Sequence, residues 1–315
     1  MRFPRLSVLL LSLTLAASAG AADRVTITVL ETSDLHANLL PWNYARGAEG
    51  DWGLARVATR VREIRAKAPN VLLLDGGDTI QGAPIAWLEA RRPSGGPHPV
   101  AAAMNALSYD AMTVGNHEFN FGLEVLRRAQ KDSAFPWLSA NTRNAADGGA
   151  AFPEFLVKML GGVRVGVLGL TTPNIPGWEP VANRPGLSWE DPVETAKRLV
   201  PVLRGREKCD VVVVLIHSGL EVDPSTGKAD GTEYENHVVR VAKDVPGIDL
   251  LLTGHSHRKL PLTRREQLSE NTEAFISRYP GLVATTVSWT GGTTGKRIQG
   301  YLTSDEFEFY TAACP

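Results

Sequence analysis

A chain of 315 residues that is 43% apolar and 21% charged carries enough apolar side chain for a sizeable core and is too apolar to be disordered. Its 33 Lys and Arg against 34 Asp and Glu leave a formal charge of −1, so no basic field exists to hold a nucleic-acid polymer. Two cysteines, Cys209 and Cys314, are too few for a disulfide-stapled scaffold; Cys209 precedes an apolar run and reads as a packing residue, and a bridge between the two is left open.

At the N-terminus, Arg2 and Arg5 precede the apolar run Leu6 to Ala17, and Ala19-Gly20-Ala21 supplies the small residues at which a signal peptidase cuts. The run is too short to span a bilayer. A buried core helix would need a polar face, and Leu9, Leu10, Leu11, Leu13 and Leu15 leave none. Residues 1–21 therefore read as a signal peptide. The mature form, with no membrane anchor, is expected in the periplasm or outside the cell.

Short β-branched or leucine-rich runs follow in order: Val25 to Leu30, Val71 to Leu74, Ala111 to Val114, Val163 to Leu170, Val211 to Ile216 and Ile248 to Leu252. Between them, Leu54 to Lys67, Leu123 to Lys131 and Val193 to Leu203 space their apolar residues as helices do. Alternating strands and helices predict a layered α/β domain. In such domains ligands gather where strands end at their carboxyl side.

The chemistry-bearing residues lie in those places. Ser33-Asp34-Leu35-His36 follows the first strand, Asp75-Gly76-Gly77-Asp78 the second, and Gly115-Asn116-His117-Glu118 the third; His217-Ser218-Gly219 and Gly254-His255-Ser256-His257 end the last two. Taken singly, each has a plainer reading. Asp34 or Asp78 would serve as a helix cap, and Asn116 with His117 could simply end a strand. Together, five of the seven histidines beside Asp34, Asp78 and Asn116 form a set that core packing does not require. Imidazole, carboxylate and amide without thiolate suit Zn, Mn, Fe or Co. His98 and His237 lie outside these loops and are expected in solvent.

The strings ETSDLHANLLPWNY, LLLDGGDTIQGAP, TVGNHEFNFG, VVVLIHSG and LLTGHSH resemble the five motifs of the calcineurin-like metallophosphoesterases. More narrowly, they resemble the catalytic domain shared by bacterial 5'-nucleotidases and 2',3'-cyclic-nucleotide 2'-phosphodiesterase/3'-nucleotidases. The resemblance implies a four-layer αββα sandwich over residues 22–260 that holds two divalent ions (Zn, Mn, Co, Fe or Mg). By motif position Asp34, His36 and His257 bind one ion, Asn116, His217 and His255 the other, and Asp78 bridges them. His117 stands beside the scissile phosphate as the catalytic group.

One departure narrows the expectation. The 5'-nucleotidase branch usually has Asp three residues after this histidine, whereas this chain has Asn120, which is shared with the cyclic-phosphodiesterase branch. Asn43-Tyr44 and the Ile175 to Trp178 segment point the same way. The expected substrates are 2',3'-cyclic nucleotides and 3'-nucleotides. An aspartate at position 120 is expected to raise the imidazole pKa.

Residues 261–315 match the family poorly and read as a divergent tail, with Leu282 to Trp289 and Arg297 to Leu302 able to pair as a hairpin. Only 58 residues follow His257, so the family's usual base-binding C-terminal domain is expected to be absent, with broader substrate choice as the result. Two alternatives stand beside this reading. One is a 5'-nucleotidase, UDP-sugar hydrolase or sulfur-ester hydrolase of the same fold; the other is a secreted metal-binding protein without turnover.

Overall fold

A computed structural model describes residues 25–257, apart from 51 and 224–227. The expected signal peptide, the expected tail hairpin and Cys314 lie outside the described residues.

The first half of the chain runs β1 (Thr28–Thr32), the small hairpin β2 (Trp42–Asn43) and β3 (Ala48–Glu49), then α1 (Leu54–Arg65) and β4 (Val71–Asp75). It continues through α2 (Pro84–Arg91), α3 (Pro99–Ala106), β5 (Ala111–Thr113), α4 (Gly122–Asp132), β6 (Trp137–Leu138) and β7 (Thr142–Asn144). The second half holds β8 (Phe155–Leu160), β9 (Val163–Thr171), α5 (Ile175–Trp178), β10 (Leu187–Trp189), α6 (Pro192–Gly205), β11 (Val211–His217), α7 (Val238–Asp244) and β12 (Leu250–Thr253).

Among the described residues, two four-stranded sheets form, with β7 and β10 as a separate antiparallel pair. The first is parallel throughout, in the order β1-β4-β5-β6. The second has the order β12-β11-β9-β8, parallel except for β8. Because successive side chains point to opposite faces of a strand, a sheet covered on both sides needs apolar residues without a break. In β4, Leu72 and Leu74 turn into the space between the sheets, while Leu73 packs under the helices. In β11, Val213 and Leu215 face inward, and Val212, Val214 and Ile216 face α6 and α7. Helices α1, α3 and α4 cover the outer face of the first sheet. The four-layer αββα sandwich follows, and each fully buried leucine in it contributes about 1.5–3 kcal/mol relative to exposure.

The predicted strands and helices are present, with ends displaced by one to three residues. Ten further elements were not foreseen: the strands β2, β3, β6, β7, β8 and β10 and the helices α2, α3, α5 and α7. Helix α2 leaves Trp87 and Leu88 exposed and buries Ala86 and Glu89, so its apolar spacing is misleading. Helix α7 begins Val238-Val239, which reads as strand.

Two histidines contradict the expectation of solvation. His98 is 1% exposed and His237 4%. His98 sits at the start of α3, where its backbone N–H donates to Asp132 Oδ2 at 2.8 Å, and both ring nitrogens are buried without a hydrogen-bond partner. Burial first, and then Arg128, push its pKa down to about 4. Cys209 is a free thiol buried against α6 and β11, as its apolar neighbours suggest.

Candidate metal centre

All five motif loops leave the same edge of the sandwich. Asp34, Asp78 and Asn116 follow the ends of β1, β4 and β5 in one sheet, and His217, His255 and His257 end β11 or follow β12 in the other. The loops are tightly wound. Asp34, His36, Asp78, His255 and His257 all adopt positive φ, between 47° and 82°, a region that costs a non-glycine residue free energy and recurs at functional sites. Gly77, at φ 89°, lets two loops meet: a Cβ there would lie 2.8 Å from the Gly115 nitrogen and 2.9 Å from His217 Nδ1.

Two groups of potential ligand atoms form, each within 4.8 Å of one another. Asp34, His36, Asp78 and His257 make one; Asp78, His217 and His255 make the other. Asp78 belongs to both. Asn116 joins the second through its Oδ1, 3.1 Å from His217 Nε2. His257 Nε2 lies 3.0 Å from Asp34 Oδ1, and His217 Nε2 lies 3.1 Å from Asp78 Oδ2. Every residue expected to hold metal is thus brought into one cluster.

The donor chemistry fits divalent cations. His36 Nδ1 donates to the Gln81 carbonyl at 2.9 Å, and His217 Nδ1 to the Gly76 carbonyl at 2.6 Å. A backbone acceptor on Nδ1 leaves a lone pair on Nε2, which is how ligating histidines are oriented. The His36 and His257 Nε2 atoms then approach to 3.3 Å, a contact that is repulsive between lone pairs unless a proton or cation lies between them.

Charge leads to the same conclusion. Burial works against charge on Asp78, but His217, His117 and His36 reverse this and hold its carboxyl well below the usual carboxylate range. Burial also opposes a proton on His217, yet Asp78, Asp34 and the Gly76 carbonyl push it up to about 10. Buried carboxylates that hold a proton on imidazole this strongly will attract any cation that fits.

His117 lies at the mouth. Its side chain is 36% exposed, and its Nε2 is 3.8 Å from Asp78 Oδ2. Its ring meets that of His36 edge-on, with centroids 5.0 Å apart. Its Nδ1 is 2.6 Å from Asn120 Oδ1.

Three acidic residues around this site were given no role at the level of sequence. Glu118, fully buried, accepts from the backbone nitrogens of Asp78 (2.9 Å), Thr79 (2.6 Å), Ile80 (3.1 Å) and Gly115 (2.7 Å). It ties the Asp78 loop to the Asn116 loop, and its position beside His117 in the third motif was the available signal. Glu235 Oε2 lies 3.7 Å from His255 Nε2. Glu179 contacts Asn120, and neither it nor Glu235 belongs to a motif.

Residues 27–259 match the family model described as calcineurin-like phosphoesterase, and the chain belongs to that family. It is 34% identical over 268 residues to a 2',3'-cyclic-nucleotide 2'-phosphodiesterase/3'-nucleotidase of Yersinia enterocolitica, covering 81% of this chain and 40% of that one. A 5'-nucleotidase of Vibrio cholerae is 31% identical over 251 residues, covering 77% and 42%. The chain thus spans about two-fifths of the length of these curated relatives. Among solved structures, calcineurin-like phosphoesterase YfkN from Bacillus subtilis superposes with a TM-score of 0.71 at 30% identity, covering 84% of this chain and 82% of that one. The family's use of divalent metals agrees with the donor set.

Proposed function

We propose that the chain is an exported phosphoesterase that hydrolyses 2',3'-cyclic nucleotides and 3'-nucleotides at a pair of divalent cations. Asp34, His36 and His257 would hold one cation, Asn116, His217 and His255 would hold the other, and Asp78 would be shared between them. The observation that carries this reading is the shared carboxylate: Asp78 lies within ligand distance of both His/Asp groups. Cations held there would lower the pKa of a bound water and offset negative charge on the phosphoryl oxygens.

The chain's own residues orient the reaction. Asp34 and Asp78, fully buried, reject further anions except where a cation offsets them. His117, at the mouth, donates from Nε2 to a phosphoryl oxygen, or passes that proton to the departing oxygen, when its ring is in the imidazolium form. In the cyclic substrate, water oxygen bonds to phosphorus, the bond from phosphorus to O2' breaks, and O2' takes the proton, leaving a 3'-nucleotide. A second water then releases phosphate from O3'. Trp178, 39% exposed with its ring 5.4 Å from that of His255, offers a planar face to the nucleobase. Preference for the 2',3'-cyclic and 3'-esters rests on Asn120, on Asn43-Tyr44 and on the Ile175 to Trp178 segment. Residues 1–21 direct export, and residues 22–260 form the catalytic domain.

A substrate panel on metal-reconstituted protein tests this. Phosphate release, after phosphatase coupling where needed, is expected to be fastest with 2',3'-cyclic AMP and 3'-AMP. Faster release from 5'-AMP or UDP-glucose would reassign the substrate class. Two equivalents of bound metal with no hydrolysis of any ester would replace the enzyme with a metal-binding protein.

A further inference from the structure

Helix α5 ends at Trp178, and the next residue, Glu179, is 8% exposed. Its carboxylate turns inward. One oxygen accepts from Asn120 Nδ2, and the other accepts from Asn183 Nδ2 at 2.9 Å. Asn183 Nδ2 also donates to the Asn120 carbonyl at 3.1 Å, and Arg184 Nε donates to the Glu179 carbonyl at 2.9 Å. A buried acid is thereby held between two amides, Asn120 and Asn183, and the first of them is the one that touches His117.

An asparagine side chain has nearly the same shape when its oxygen and nitrogen are exchanged, so its neighbours must decide which end faces which. Asn120 has two: His117 Nδ1 on one side and Glu179 on the other. A carboxylate only accepts, so the Asn120 NH2 must face Glu179. Its Oδ1 then faces His117 Nδ1 at 2.6 Å, and Nδ1 must carry the hydrogen. The neutral ring therefore keeps its lone pair on Nε2, the atom nearer Asp78.

We propose that Glu179 is a positioning residue: by fixing the orientation of the Asn120 amide, it sets His117 in the Nδ1–H tautomer with Nε2 free to exchange a proton at the site. A direct carboxylate partner would do this without help, since its two oxygens are equivalent. With asparagine in that place, the orientation has to come from elsewhere, and Glu179 supplies it. The consequence for turnover rests on the phosphoesterase reading; the tautomer does not.

Long-range proton–nitrogen correlation spectra of the nitrogen-15-labelled protein, with and without zinc, read the tautomer directly. The His117 signals are assigned by their loss in His117→Asn. The expected spectrum has a protonated Nδ1 and a bare Nε2 in the neutral ring; a protonated Nε2 would overturn the proposal in the wild type alone. In Glu179→Gln, whose amide can donate as well as accept, the two tautomers should mix. Unchanged signals there would equally overturn it.

Kinetics on an aryl phosphodiester supply the second reading. Glu179→Gln is expected to lower kcat about tenfold while KM stays within about twofold, because orientation matters most in the transition state. In an Asn120→Asp background the same substitution should cause no loss or a gain, since it relieves a contact between like charges. An equal loss in both backgrounds would show that Glu179 serves only the fold. If no ester is turned over, the spectra still decide the tautomer, so failure of the phosphoesterase reading is distinguishable.

Discussion

Glu118 shows how one side chain can set the distance between two loops. Four backbone N–H groups from both sides of the site converge on its two oxygens, and it is fully buried. Glu118→Gln would turn two of those acceptor positions into a donor facing donors. An unsatisfied buried group of this kind costs about 1–3 kcal/mol, so urea unfolding of the metal-free variant should show a loss of that size. A change below about 0.5 kcal/mol would mean that the loops are held by other contacts. The donors themselves were legible in the sequence, because Asp34, Asp78, Asn116 and the histidines end strands in a recognisable order. Their left-handed backbones were not. Positive φ at Asp34, His36 and Asp78 arises from hydrogen bonds between loops, such as Asp34 N to the Gly77 carbonyl at 2.9 Å and His36 N to the Asp78 carbonyl at 2.9 Å. No local residue pattern encodes such a bond.

Among the elements, those with strong periodicity were legible and those set by context were not. Helices α1 and α6 each bury a continuous apolar stripe, and α6 adds Asp191 as an N-cap, accepting from Val193 N at 2.7 Å. Helices α2 and α3 are short; α2 carries no such stripe, and that of α3 is brief, Val100 and Met104 continued by Leu107 just past its end. Their signal was the proline at the first helical turn, Pro84 and Pro99, which periodicity alone does not weigh. Helix α3 also has an acid-sensitive start. The unfolded chain takes a proton at His98 near pH 6.5, whereas the native state takes it only near pH 4. As pH falls through 6.5 the unfolded state binds more protons, so stability drops until about pH 4 and then levels. Between pH 7 and pH 5 the wild type should lose about 2 kcal/mol more than His98→Leu, with both proteins metal-free. Parallel pH dependences would place the ring nitrogens in contact with solvent.

For the whole molecule, the relation between the sheets decides how metal and stability are linked. Donors from the first sheet (Asp34, His36, Asp78, Asn116) face donors from the second (His217, His255, His257), so bound cations cross-link the two layers at one edge. Chelation should therefore lower the thermal midpoint, and the midpoint should rise again with the logarithm of the free metal concentration above Kd. Hydrogen exchange should locate the effect. Amides of 76–79, 115–118 and 254–257 should lose protection on chelation, while the inward strands β4 and β11, packed through Leu72, Leu74, Val213 and Leu215, keep theirs. Uniform loss across the core strands would mean that the cations stabilise the whole sandwich and not its edge.

Each sheet is also built from a consecutive stretch of chain, residues 28–138 for the first and 155–253 for the second. Synthesis delivers these stretches one after the other, so the earlier layer can close before the later one emerges. Neither ligand group is complete at that stage, because one awaits His257 and the other awaits His217 and His255. On the proposed reading, an unfinished chain would therefore lack part of both cation sites, and both would be whole only once the residues after β12 had emerged.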